Sequence, residues 1–207
     1  MDDDIFTIEC SGGSLKVTRK LLLLRRVPIS LFRLISVLNV FSRSPVFRDA
    51  IAISPDKQTD DRKLALDDRR DSLLLMFDLM DNFGRRKRQK AFKDHPSSAY
   101  VDIPSLSDKY DVMWLPWVMR GHLWEACTSY HSDWVIFTYE IAYKLKWREL
   151  ALHAVHLLDD CEMPSQFTVE RARSLGVDAY HCLVAAVEES GSDDWVDIAD
   201  CIKLPEE

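Results

Sequence analysis

"IFTIECSGGSLKVT", residues 5–18, holds two short runs rich in β-branched and aromatic residues around a glycine turn. Phe6, Ile8 and Cys10 alternate with polar neighbours, as do Leu15 and Val17, and "SGG" supplies residues that tolerate a tight reversal. The stretch therefore reads as a β-hairpin. A two-stranded hairpin is not stable alone in water, so the rest of the chain has to cover it. With 207 residues, 47% hydrophobic and 29% charged, the expectation is one main domain plus an appendage, of α+β class.

Downstream, "KLLLLRRVPISLFRLISVLNVFSRSPVFRD" (20–49) is apolar but is broken by Arg25, Arg26, Arg33 and Pro28. A membrane-spanning helix needs about 20 predominantly apolar residues, and each of these charges costs roughly 2.5–3.5 kcal/mol at the bilayer centre. No membrane span is expected. Core packing is the first reading, and a surface-lying amphipathic helix over 29–41 is the other. Residues 54–63 read as a polar loop. Leu64–Leu66 reads as a short strand, followed by a helix with Leu73, Met76, Phe77 and Met80 on one face and Asp71 as its cap. Gly84 ends that helix, and the loop 84–94 carries six cations without an acid between Arg85 and Lys93. That tract has to be solvated.

From Tyr100 a short extended piece leads into a helix, and a second helix starts with Pro116 at its first position. Met119, Leu123, Cys127 and Tyr130 recur at helical spacing. "WVIFTYEIAYKLKW" (134–147), capped by Ser132 or Asp133, is apolar on nearly all sides and so belongs inside. "RELALHAVHLLDDC" (148–161) pairs with it as an antiparallel helical hairpin through Leu150, Ala151, Ala154, Leu157 and Leu158. A last helix begins with Asp178 as its cap. The acidic end from Glu188 onward reads as a poorly ordered tail. The tryptophans crowd the helical half (Trp114, Trp117, Trp124, Trp134, Trp147) and suit a core between the domain and its extension, with anchoring of a partner by some of them as the alternative.

The net charge of −7 argues against broad nucleic-acid binding. Five scattered cysteines without a C-x-x-C pair read as reduced thiols. The acidic start "MDDDIF" lacks the basic character of a leader, so the expected location is cytoplasmic, nuclear or both. Catalytic candidates are thin. His153 and His156 with Cys161 lack a companion pair at a metal-binding spacing, and Cys127 with His131 lacks an oriented base; a cysteine- or metal-dependent enzyme is the remote alternative. The pairs Asp60–Asp61, Asp67–Asp68 and Asp159–Asp160 read as solvated turns. No catalytic residue, cofactor or metal is expected. Arg85, Arg86, Lys87, Arg88 and Lys90 could form a nuclear-import tract or an acidic-partner patch.

The strings "FTIECSGGSLKVTRKLLL", "SPVFRDAI", "LALDDRRDSLLLMFDLM" and "SLSDKYDV" stand in the order and style of a BTB/POZ domain, and the chain resembles the fungal, basidiomycete-like group of that family. The parts from "VIFTYEIAYKLKWRELALHAVHLL" to "ARSLGVDAYHCLVAAV" resemble the helical extension of the same group. The resemblance implies a small mixed sheet flanked by helices over 1–128 and a helical extension with an acidic tail over 129–207. It further implies a non-enzymatic protein-interaction module that self-associates, with a homodimer face involving Ile5, Phe6, Leu21 and Leu22. Partners would dock near Ser107–Trp117, on Asp108, Tyr110, Asp111 and Trp114. A cullin-type ubiquitin ligase scaffold is the implied partner, and a nuclear transcriptional or scaffold regulator is the alternative. Two departures stand out. Thr18 occupies the place of a histidine in a "VHR"-like sequence, and residues 25–41 are inserted before "SPVFRD". The insert is read either as an added helix with a Leu31, Leu34, Ile35 and Leu38 stripe or as a translated intron.

Overall fold

The computed structural model describes residues 5–18, 44–46, 49, 62–82, 95–129, 132–158 and 163–204. Among these the chain is mixed α+β and mostly helical, with one three-stranded sheet and eight α-helices. Leu21, Leu22, the insert 25–41, the basic tract Arg85–Lys90, His131 and Cys161 lie outside the described residues, as do the pairs Asp60–Asp61 and Asp159–Asp160.

The hairpin forms as its alternation predicts. Strand β1 (Ile5–Ser11) pairs antiparallel with β2 (Gly13–Thr18), from Ile5 opposite Thr18 to Cys10 opposite Gly13. Gly12 and Gly13 take φ of 94° and 142°, which disfavours any residue with a Cβ. At Gly13 a Cβ would also press on Arg70 Cδ at 3.2 Å. Strand β3 (Arg62–Arg69) lies parallel to β1 on its other side, giving the order β2-β1-β3 with an irregularity between Glu9 and Ser11. The strand is longer than Leu64–Leu66. Pairing with β1 at Ala65 and again at Arg69 brackets Asp67 and Asp68, so that acidic pair is on a strand, at its irregularity, and not in a turn.

Helix α1 (Arg70–Asn82) follows without a loop, which puts Asp71 inside the first turn and not at the cap. Leu73, Met76, Phe77 and Met80 are buried as their spacing requires, and Leu75 and Leu79 are buried as well. Helix α2 (Ser97–Lys109) replaces the extended piece expected around Tyr100. Pro96, extended at φ −66° and ψ 149°, serves as its N-cap, and Ala99, Tyr100, Ile103 and Leu106 form a buried face with helical period. Pro104 is tolerated inside it.

Helix α3 (Leu115–Ser129) buries Leu115, Met119, Leu123, Ala126 and Cys127, with Pro116 at its second position. The chain divides into two compact units, Met1–Val118 and Met119–Glu207, and the division falls inside this helix. In the second unit, α4 (Ser132–Lys144) and α5 (Arg148–His156) pack as a helical hairpin across a tight turn. In that turn the Trp147 N–H donates to Ala142 O at 2.8 Å. Trp134, Val135, Ile136, Tyr139, Ile141 and Ala142 are buried on α4, so its nearly uniform apolarity does reflect an interior position. Thr168 caps α6 (Val169–Leu175) by accepting the Arg171 N–H. Gly176, at φ 83°, is the N-cap of α7 (Val177–Ser190), so Asp178 lies in the first turn and is not the cap.

From Glu188 to Leu204, the part of the acidic end among the described residues, the chain is not a loose tail. Gly191 at φ 60° stops α7, and Asp194 caps α8 (Trp195–Cys201) by accepting the Val196 N–H at 2.8 Å. Trp195, Ile198, Ala199 and Ile202 are all at or below 4% exposure and recur at i, i+3, i+4 and i+7. One apolar stripe outweighs the carboxylates around it because those point to solvent. No helix among the described residues is long and apolar enough to cross a membrane.

Candidate protein-interaction face

The segment that the resemblance marks for partners, 107–117, is held by polar contacts on its N-terminal side. Asp68, reaching from β3, accepts from Lys109 Nζ at 2.8 Å and from the Tyr110 hydroxyl. Its neighbour Arg69 donates twice to Asp102 Oδ2, from Nε at 2.8 Å and Nη2 at 2.6 Å, and the buried Ser72 hydroxyl donates to the same oxygen at 2.6 Å. Strand β3 is thereby fixed to helix α2 and its C-cap Tyr110 through four charged side chains and the Tyr110 hydroxyl, and the Ser72 hydroxyl ties α1 to the same helix. Burial, followed by the hydrogen bond and the negative charge of Asp68, pushes the Tyr110 phenol well above its ordinary range. It stays a neutral donor.

The turn after α2 is closed by its own backbone. Tyr110 N–H donates to Leu106 O at 2.9 Å, Val112 N–H to Ser107 O at 2.9 Å, and the buried Ser107 hydroxyl to Val112 O at 2.9 Å. Ser44, fully buried, donates to Tyr110 O at 2.6 Å. Asp111 takes the left-handed conformation at φ 53°. Tyr110, Val112 and Leu115 are buried anchors, and the side chains between and beyond them turn outward: Met113 is 63% exposed and Trp117 74%. Asp108 and Asp111 are exposed and Trp114 is half-buried. Of the four residues marked for partners, then, Tyr110 lies inside and spends its hydroxyl on Asp68. Met113 and Trp117 are the exposed apolar residues here; the sequence draws attention to Trp117 by its bulk and gives no signal at Met113.

Ile5 and Phe6 both lie on β1. That is the middle strand, and Phe6 is paired with Val17 on one side and Arg62 on the other. The backbone of Phe6 is therefore paired on both sides and offers no open strand edge to a second copy.

The catalytic candidates resolve differently. The His153 ring stacks on Trp124, with centroids 3.8 Å apart and planes within 3°. Burial, then the charge of His156, holds its pKa below the ordinary value. Cys127 is buried on α3, the position its apolar stripe implies. Among the described residues no three His, Cys, Asp or Glu side chains gather as metal ligands. No family model, curated protein or solved structure matches the chain.

Proposed function

We propose that the protein is an interaction module built on a BTB/POZ-like frame, acting through association with other proteins and not through catalysis. Met113 and Trp117 carry this reading: two large apolar side chains stand in solvent, Met113 on a turn whose backbone and anchors are fixed from several sides and Trp117 in the first turn of the helix that follows it. Burying an indole of ~150 Å² against a partner at ~25 cal/mol/Å² is worth about 4 kcal/mol before ordering costs, and tryptophan is enriched among interface hot spots. A rigid platform lowers those costs, because little is left to order on binding. The mixed sheet of a hairpin and a parallel third strand is in keeping with the frame the resemblance implies.

On this reading the chain works in the cytosol or nucleus, self-associates, and presents the 107–117 face to a scaffold of the cullin type. Light scattering on the purified full-length chain tests the first part: a mass of twice 24.0 kDa is expected, and a strict 24.0 kDa monomer at all concentrations refutes self-association. Titration with a purified cullin N-terminal region tests the second. Saturable binding that Trp117→Ala weakens about tenfold or more is expected. No binding, or binding indifferent to Trp117, removes the adaptor role.

A further inference from the structure

Between Asp178 and Leu204 the chain holds seven carboxylates and one lysine, which accounts for a net six of its seven negative charges. Two of these carboxylates, Asp178 and Glu189, line a groove of about 530 Å³ in the second unit, as does Lys203. Its long wall is a single face of α7. Val177, His181, Ala185 and Glu189 follow each other at four-residue spacing, and Asp178, Cys182 and Ala186 run beside them. At 1.5 Å per residue that face is about 18 Å long, the span of five or six extended residues of another chain. Tyr143 of α4 and Cys201 of α8 line the groove too.

Between its ends the groove is lined by Ala185 and Ala186 beside His181 and Cys182. Ala185 and Ala186 leave room, and Val177 stands 82% exposed at one end. Cys182 donates to Lys203 O at 3.3 Å, and burial raises its pKa, so it adds no charge to the floor. The ends are acidic, with Asp178 in the first turn of α7 and Glu189 in the last. Lys203 is held by Glu189 at 2.6 Å, but its side chain is 79% exposed. An exposed pair of this kind is worth little and yields readily to another cation. Among the described residues no metal-binding cluster is present to claim these carboxylates.

We propose that this groove docks a basic segment of a partner protein, which seats an apolar side chain over Ala185 between cations that meet Asp178 and Glu189. Charge complementarity selects the sign of the partner, the length of the α7 face selects a peptide over a small amine, and the small residues select an inserted apolar side chain. This site belongs to the second unit and the 107–117 face to the first, and its test is independent of that reading.

Fluorescence anisotropy on the full-length chain tests it. The probe is a fluorescein-labelled octapeptide with two lysines at each end and a Leu-Phe pair within. Saturable binding is expected, weakened about tenfold or more by Ala185→Trp, which fills the groove, and by Asp178→Asn with Glu189→Gln. Glu188→Gln with Asp193→Asn removes the same charge outside the groove and should change binding less than about threefold. Ala185 is exposed, so its replacement leaves the fold intact, which thermal melting verifies. The proposal is overturned by absence of binding, by indifference to Ala185→Trp, by an equal effect of the control pair, or by equally tight binding of the peptide with Ser-Ser in place of Leu-Phe. The last result would leave only a diffuse cation attraction.

Discussion

The first unit gives Asp68 and the half-exposed Asp102 several donors, Lys109 and Tyr110 for one and Arg69 and Ser72 for the other, whereas the second unit sets Asp178 and Glu189 along an open groove that Lys203 also lines. The side chains are of the same kind, and their consequences differ. A carboxylate given several donors fixes secondary structures to each other; a carboxylate on a concave rim stays available to an incoming cation. Net charge does not separate these two uses, but placement on strand, helix face or rim does.

Three substitutions sharpen that contrast, in falling order of effect. Trp195→Ala should destabilise the second unit by about 3–5 kcal/mol, since a fully buried indole is lost from under the acidic helix. Urea unfolding followed by far-ultraviolet circular dichroism measures it, and a loss below about 1 kcal/mol would show that α8 is not part of the core. Asp68→Ala removes the acceptor of Lys109 and Tyr110 and should cost about 2 kcal/mol. By contrast, Asp178→Asn should stay within about 0.5 kcal/mol of the parent. Equal losses at the two aspartates would erase the distinction between structural and available carboxylates.

The smallest effect is a pH slope. His153 has a folded pKa below its ordinary 6.5, and its Nε2 is buried without a hydrogen-bond partner among the described residues. Below pH 6.5 the unfolded chain takes up the proton first, so stability is full above that value and falls as the pH drops through it. His122, also lowered by burial, acts in the same direction. His153→Phe keeps a ring against Trp124 and removes the titration. Its melting temperature should fall less than that of the parent between pH 7.5 and 5.5, and an unchanged slope would remove His153 from the account.

Much of the fold was legible because its signals are local. The alternation of Phe6, Ile8 and Cys10 around two glycines specifies the hairpin, and the uniformly apolar "WVIFTYEIAY" specifies a buried helix. Helix α8 was obscured by Asp193, Asp194, Asp197 and Asp200, although Trp195, Ile198, Ala199 and Ile202 already held the helical period. The run "YVDIP" read as extended from its β-branched residues, while the start signal, Pro96 ahead of two serines, lay upstream. Asp67–Asp68 read as a turn because pairing with β1 is a long-range event that no local pattern encodes. The candidate faces were the least legible. Met113 and Trp117 differ from core residues only in where the chain leaves them, and the groove on α7 exists only once α4 and α8 stand beside it.

The most direct test of an interaction module with a preformed apolar face is quantitative affinity purification of the tagged full-length chain beside its Trp117→Ala form, matched for expression and melting temperature. The account predicts that at least one partner co-elutes stoichiometrically with the parent chain and drops about tenfold or more with the variant. An identical set of co-eluting proteins in both, or none beyond chaperones, would contradict it.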